Sequence, residues 1–105
     1  MNYNEFENCG VKRSLDLLSG KWKPLILHHL FQEKEIRFIE LWRKMPRVSK
    51  KVLLEQLKQL EENNIIERIE FNDFPPKVFY KIHEEAKELG NLLKTLDDFG
   101  NKHIN

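Results

Sequence analysis

The order of signals between Ile39 and Ile82 limits what this chain can fold into more than any other feature. Ile39 to Met45 reads as a short helix, and Pro46 stops it. Ser49 follows, with a hydroxyl suited to accept a hydrogen bond at a helix start. Val52, Leu53, Leu57 and Leu60 then recur at helical spacing and predict a second helix with one inward face. Lys50, Lys51, Leu54, Glu55 and Lys58 fall on its other faces. Asn63 and Asn64 end it, since Asn tolerates the left-handed conformation that closes many helices. Ile65 to Phe71 and Lys77 to Ile82 predict two strands, joined by a turn that carries Phe74, Pro75 and Pro76. A short helix, a tight turn, a second helix and a hairpin make a winged helix-turn-helix.

Charge supports the same segment. The whole chain carries 18 basic and 17 acidic side chains, a net of +1, so it is neither a uniformly basic coat nor an acidic tail. The balance hides sorting along the sequence. Residues 41–60 hold Arg43, Lys44, Arg47, Lys50, Lys51 and Lys58 against Glu55 alone, a net of +5. Residues 61–100 sum to −5. A helix of this kind fits the major groove of DNA, and cations around it neutralise phosphates and release counterions. The competing view is that these side chains only solvate a helix face. The cluster, in this position and ahead of a hairpin, favours DNA.

Outside this unit the pattern is helical. Val11, Leu15 and Leu18 predict a helix that stops at Gly20. A second runs from Lys21 or Trp22 to about Phe31, with Pro24 tolerated in its first turn. Ile36 to Phe38 reads as a short extended piece. The last helix is expected from Glu84 to His103, with Ala86, Leu89, Leu92, Leu93, Leu96 and Phe99 as an apolar stripe. That stripe is wider than one helix on a small domain needs, so a second copy of the chain is expected to cover it. The fold class is therefore mainly α with a small β-hairpin (α+β), dimerising through the last helix. It is one domain, with N-terminal helices at 8–32, a helix-turn-helix at 36–63, a wing at 65–82 and a dimerisation helix at 84–103.

Several functions are excluded or disfavoured. No apolar run approaches the roughly 20 residues of a membrane span. Met1 to Gly10 holds two Glu and no basic residue, unlike a signal peptide. Cys9 is the single cysteine and has no internal disulfide partner, which suits a reducing cytoplasm. His28 and His29 are adjacent and diverge by about 100° on a helix. With His83, His103 and Cys9 scattered, no metal or cofactor is expected. Gly20 and Lys21 lack the other glycines of a phosphate loop. Trp22, Phe31, Phe38 and Trp42 are expected in the core, and Glu61 and Glu62 form a solvated helix end. No nucleophile elbow or carboxylate pair points to an enzyme.

The chain resembles the HxlR-type family of bacterial winged-helix transcriptional regulators, relatives of the MarR group. The similarity spans residues 8 to 100. It rests on Cys9, Gly10 and Val11 with Leu15 and Asp16, and on the run from Ser19 to Leu27. It continues through Arg37, Phe38, Glu40 and Leu41, Pro46, Val48 and Ser49, and Leu53, Gln56, Leu57, Leu60 and Glu61. Ile65 to Arg68, Pro75 to Val78 and Tyr80 complete it. The sequence departs from the family where Ile39 replaces Ser, Leu54 a small polar residue, Asn64 Gly, and His83 and Ala86 Thr and Gly.

The resemblance implies a homodimer on double-stranded operator DNA, with the first and last helices building the dimer interface, the helix from Ser49 in the major groove and the hairpin tip touching the flanking backbone or minor groove. DNA contacts are expected from Arg37, Arg43, Arg47, Ser49, Lys50, Lys51, Leu54, Lys58 and Lys77. Lys50 and Lys51 are placed to reach bases or phosphates, and Arg43, Arg47 and Lys77 the backbone. In some relatives the cysteine at the Cys9 position senses oxidants, quinones or aldehydes, so an oxidant or small-molecule inducer is expected as a second partner. Lys12 and Arg13 would favour a Cys9 thiolate, and Glu5 and Glu7 would oppose it. A lone thiol responds only by adduct formation or by a disulfide between subunits. The alternative is a packing cysteine at the dimer interface. For the domain as a whole, the alternative is a winged helix that binds protein and not DNA. Ion pairs tying down Lys50, Lys51 and Lys58 would favour it.

Overall fold

A computed structural model describes residues 9–104. Glu5, Glu7 and most of the segment read as unlike a signal peptide lie outside the described residues. The elements are α1 (Gly10–Leu18), α2 (Lys23–Gln32), β1 (Ile36–Arg37), α3 (Phe38–Lys44), α4 (Lys50–Glu62), β2 (Ile66–Phe71), β3 (Lys77–Ile82) and α5 (Leu89–His103). A 3-10 turn, Glu84–Ala86, separates β3 from α5.

Side-chain shape explains the core. Ile26, Leu27 and Leu30 of α2, Leu41 of α3, and Leu53, Leu57 and Leu60 of α4 are completely buried. They meet on the sheet through Ile36, Ile66, Tyr80 and Ile82. Each fully buried aliphatic side chain contributes roughly 1.5–3 kcal/mol of transfer free energy. Neither α1 nor α5 contributes a buried residue of its own. They pack against this core only through half-buried side chains, Leu18 of α1 and Leu89 and Leu93 of α5. Val11, Leu15, Leu92, Leu96 and Phe99 each remain more than half exposed in the single chain.

Two elements differ from expectation. The sheet has three antiparallel strands in the order β1-β3-β2, not a lone hairpin. Ile36 pairs with Tyr80 and Arg37 with Phe79. The extended piece expected from Ile36 to Phe38 becomes an edge strand because β3 returns beside it. The last helix begins at Leu89 and not at Glu84. His83 Nδ1 accepts a hydrogen bond from the Glu85 N–H at 3.1 Å and closes the 3-10 turn. Ala86 is drawn into the core there. The chain then turns so that Gly90 lies against the Phe31 ring, where a Cβ would come within 2.8 Å.

Local signals account for the other boundaries. Gly20 has φ 98°, a conformation a side chain would strain, and it divides α1 from α2. Asn64 has φ 57° and occupies the left-handed position after α4. Its N–H donates to Glu61 O at 3.0 Å, and the Ile65 N–H to Leu60 O at 3.0 Å, so the helix end is satisfied before β2 begins.

Candidate nucleic-acid interface

The connection between α3 and α4 is held from three sides. Met45 and Val48 are buried and plug the turn, leaving Pro46 and Arg47 outside. Trp42 donates from Nε1 to Val48 O at 3.0 Å, so the half-buried indole braces the turn. Ser49 accepts at Oγ from the Val52 N–H at 3.2 Å and starts α4 as a capping residue. Trp42 was expected only as core, and its polar edge is the part that positions the turn.

Helix α4 is fixed along its inner face by Leu53, Leu57 and Leu60. It is also tied to α2 by a buried cation. Lys23 donates from Nζ to Gln59 Oε1, and Lys23 is only 9% exposed. The sequence reading passed over this residue. Its signal was present, since Lys23 shares a helical stripe with Ile26, Leu27 and Leu30, all buried.

Seven of the expected DNA contacts lie exposed on this unit: Arg43, Arg47, Ser49, Lys50, Lys51, Leu54 and Lys58. At about 100° per residue, Lys50, Leu54 and Lys58 line one edge of α4 and Lys51 lies on the next. Among the described residues, Arg43, Arg47, Lys50, Lys51 and Lys58 enter no ion pair. Lys44 differs, with its Nζ 3.6 Å from Glu33. Arg37 is half-buried at the junction of β1 and α3. Lys77 stands apart in the hairpin, 3.8 Å from Asp73.

Cys9 lies outside the helix-turn-helix, at the start of α1, and is exposed. The backbone N–H groups of Lys12 and then Val11 favour the thiolate and hold its pKa below the usual thiol value, with a smaller contribution from the Arg13 charge. Among the described residues, no three His, Cys, Asp or Glu side chains are placed to hold a metal.

A helix-turn-helix with a hairpin directly behind it and an unpaired basic surface is the arrangement of a DNA-binding regulator. Residues 17–105 match the HxlR-like helix-turn-helix family. The chain belongs to that family. This HxlR-like protein is 42% identical over 98 residues to the uncharacterised HTH-type transcriptional regulator YtcD of Bacillus subtilis, covering 93% of this chain and 77% of that one. Its fold matches the redox regulator HypR in its reduced form, with a TM-score of 0.84, 30% identity, and coverage of 90% of this chain and 92% of the other. It also matches the reduced transcriptional regulator YodB of B. subtilis, with a TM-score of 0.81, 31% identity and coverage of 92% and 95%. The protein is an HxlR-like winged-helix transcriptional regulator, in a family of regulators and not of enzymes. Among the described residues, no helix is long and apolar enough to cross a membrane.

Proposed function

We propose that this regulator is a cytoplasmic homodimer that acts by binding, without a catalytic step, and reads operator DNA with α4. One observation carries the reading: the cations around a rigidly capped helix are exposed and unpaired among the described residues. Ion pairs tying down Lys50, Lys51 and Lys58 would have favoured the protein-interaction alternative, and these three enter none among the described residues. Arg43, Arg47 and Arg37 grip phosphates, which position the protein without reading sequence. Lys50, Lys51, Leu54 and Lys58 face the groove, and Leu54 suits a thymine methyl. Ser49 acts through the cap it makes. Lys77 is left out of this set, because Asp73 already balances its charge.

The second copy packs on α1 and α5. Leu92, Leu96 and Phe99 are each more than half exposed in one chain, with Val11 and Leu15 exposed on α1. An obligate interface of this kind buries on the order of 2,000 Å² or more in total. Cys9 serves as the sensor: an oxidant such as diamide removes two electrons from two Cys9 thiols and joins the subunits by a disulfide. Its exposure and favoured thiolate support this role, and HypR is a redox regulator by name.

Selection of bound fragments from genomic DNA, with and without diamide, tests the reading. The wild type should recover one motif, and diamide should change its occupancy. Replacing Lys50, Lys51 and Leu54 together with Ala should abolish recovery in a folded dimer. Unchanged recovery would remove α4 as the reader. An unchanged diamide response in Cys9→Ser would remove the sensor.

A further inference from the structure

The hairpin is a free-standing arm. β1 pairs with β3 only at Phe79 and Tyr80, so the rungs Glu70–Val78 and Phe71–Lys77 and the turn beyond have no third strand beside them. At about 3.3 Å per residue, the tip stands roughly 10–15 Å past that edge. The direction follows from the pairing. β1 is antiparallel to β3, so Arg37 lies nearer the tip than Ile36, and the chain enters α3 directly from Arg37. The arm therefore leaves the sheet at the same end as the start of the helix-turn-helix.

The arm is braced and electrically neutral. Phe71 and Phe79 meet edge to face, with centroids 5.4 Å apart. Every charge between Ile66 and Ile82 has an opposite partner within the arm. Arg68 lies 3.2 Å from Glu70, Lys77 3.8 Å from Asp73 and Lys81 3.3 Å from Glu67. Such an arm brings no net attraction for phosphate. At its end the Phe74 ring stands fully exposed, followed by Pro75 and Pro76. A large apolar ring held out on a neutral support, at the end of the sheet where the chain enters the helix-turn-helix, calls for an apolar contact.

We propose that Phe74, at the hairpin tip that the family resemblance already puts at the flanking backbone or minor groove, is a wedge that presses into a base step there. The proposal rests on the DNA reading of α4. The chemistry suits duplex DNA, because base faces become an apolar surface once a step opens, and apolar side chains are used this way to kink duplexes. Pyrimidine–purine steps open most easily, so the wedge favours TA or CA steps at the flank, where no hydrogen bond reads the sequence. The division of labour is then electrostatic at α4 and apolar at the wing.

The test uses a duplex selected by the wild type from a random library, with 2-aminopurine substituted in turn at each flanking step. Binding of the wild type should raise the fluorescence at one step as the base unstacks. Phe74→Ala should abolish that rise and weaken binding about tenfold, with the log–log salt slope unchanged. Phe74→Leu should restore part of both. Folding is not at stake, because the ring is fully exposed. If Phe74→Ala keeps both the wild-type affinity and the fluorescence rise, the wedge is overturned. A lost affinity with no fluorescence rise in the wild type also overturns it, since the ring then acts without opening a step. Failure of the α4 reading shows separately, as a wild-type salt slope in a variant with Lys50 and Lys51 both changed to Ala.

Discussion

The Gly90 contact allows a stability prediction whose sign separates two physical effects. Gly90 is the second residue of α5, and replacing Gly by Ala in a helix ordinarily stabilises it by about 1 kcal/mol. Here the new Cβ would lie 2.8 Å from Phe31 Cε1 and 2.9 Å from Cδ1, against roughly 3.5–4.0 Å for a relaxed carbon–carbon contact. Relief requires the ring or the start of α5 to move by close to an ångström. Phe31 is half-buried and packs against the core, so moving the ring disturbs that packing. Overpacking of this kind costs about 1–3 kcal/mol, which exceeds the helix gain. Gly90→Ala should therefore destabilise by a net of about 1 kcal/mol. For a chain of this size that lowers the melting temperature by roughly 4–8 °C. The assay is urea unfolding at fixed protomer concentration, because subunit association shifts apparent stability. Phe31→Leu removes the ring atoms that the Cβ would meet. In the double variant the penalty of Gly90→Ala should vanish, a coupling of at least about 1 kcal/mol. If Gly90→Ala is more stable than wild type in the native Phe31 background, the close approach of α5 to α2 is wrong.

Other outcomes follow from the same structure. Arg43→Ala should weaken all duplexes alike and flatten the log–log salt dependence by about one unit per contact per subunit, read by anisotropy across a KCl series. Lys51→Ala or Leu54→Ala should instead change which sequences are preferred, at roughly 1–3 kcal/mol per lost base contact, read by competition between single-base operator variants. Changing Leu92 and Leu96 together to Glu should convert the dimer to a folded monomer in sedimentation velocity, since both side chains are exposed in one chain and their loss opens no core. For Cys9, the N–H groups at the start of α1 favour the thiolate, so its folded pKa lies below that of the unfolded chain. The pH profile of iodoacetamide labelling should therefore have its midpoint at lower pH in the native protein than in urea, and coincident profiles would remove the helix-start effect.

The helix-turn-helix was readable because its signals are local. Ser49, the stripe of Leu53, Leu57 and Leu60, and Asn64 each act within a few residues, and α4 begins and ends as they indicate. The start of α5 was not readable in that way. Ala86, Leu89 and Leu93 keep helical spacing across a 3-10 turn, so periodicity alone runs the helix back to Glu84. The break depends on a local cap, His83 meeting the Glu85 N–H, that periodicity does not register, and on packing, with Ala86 drawn into the core and Gly90 against Phe31. β1 has two residues and no pattern of its own, and it exists because β3 returns beside it. Lys23 carries two opposed local signals: its charge favours solvent, and its helical spacing with Ile26, Leu27 and Leu30 favours the buried position it takes. The charges show the same limit from another side. Composition sorts them into a basic middle and an acidic remainder, but it says nothing about partners. Pairing inside the wing neutralises Arg68, Lys77 and Lys81, whereas Arg43, Arg47, Lys50, Lys51 and Lys58 enter no ion pair among the described residues. The acidic half of the chain therefore does more than balance the sum. Its carboxylates quench the wing, so within the winged unit the exposed cations left without an ion pair are those of α3, α4 and the turn between them, and the proposed orientation on DNA follows from them.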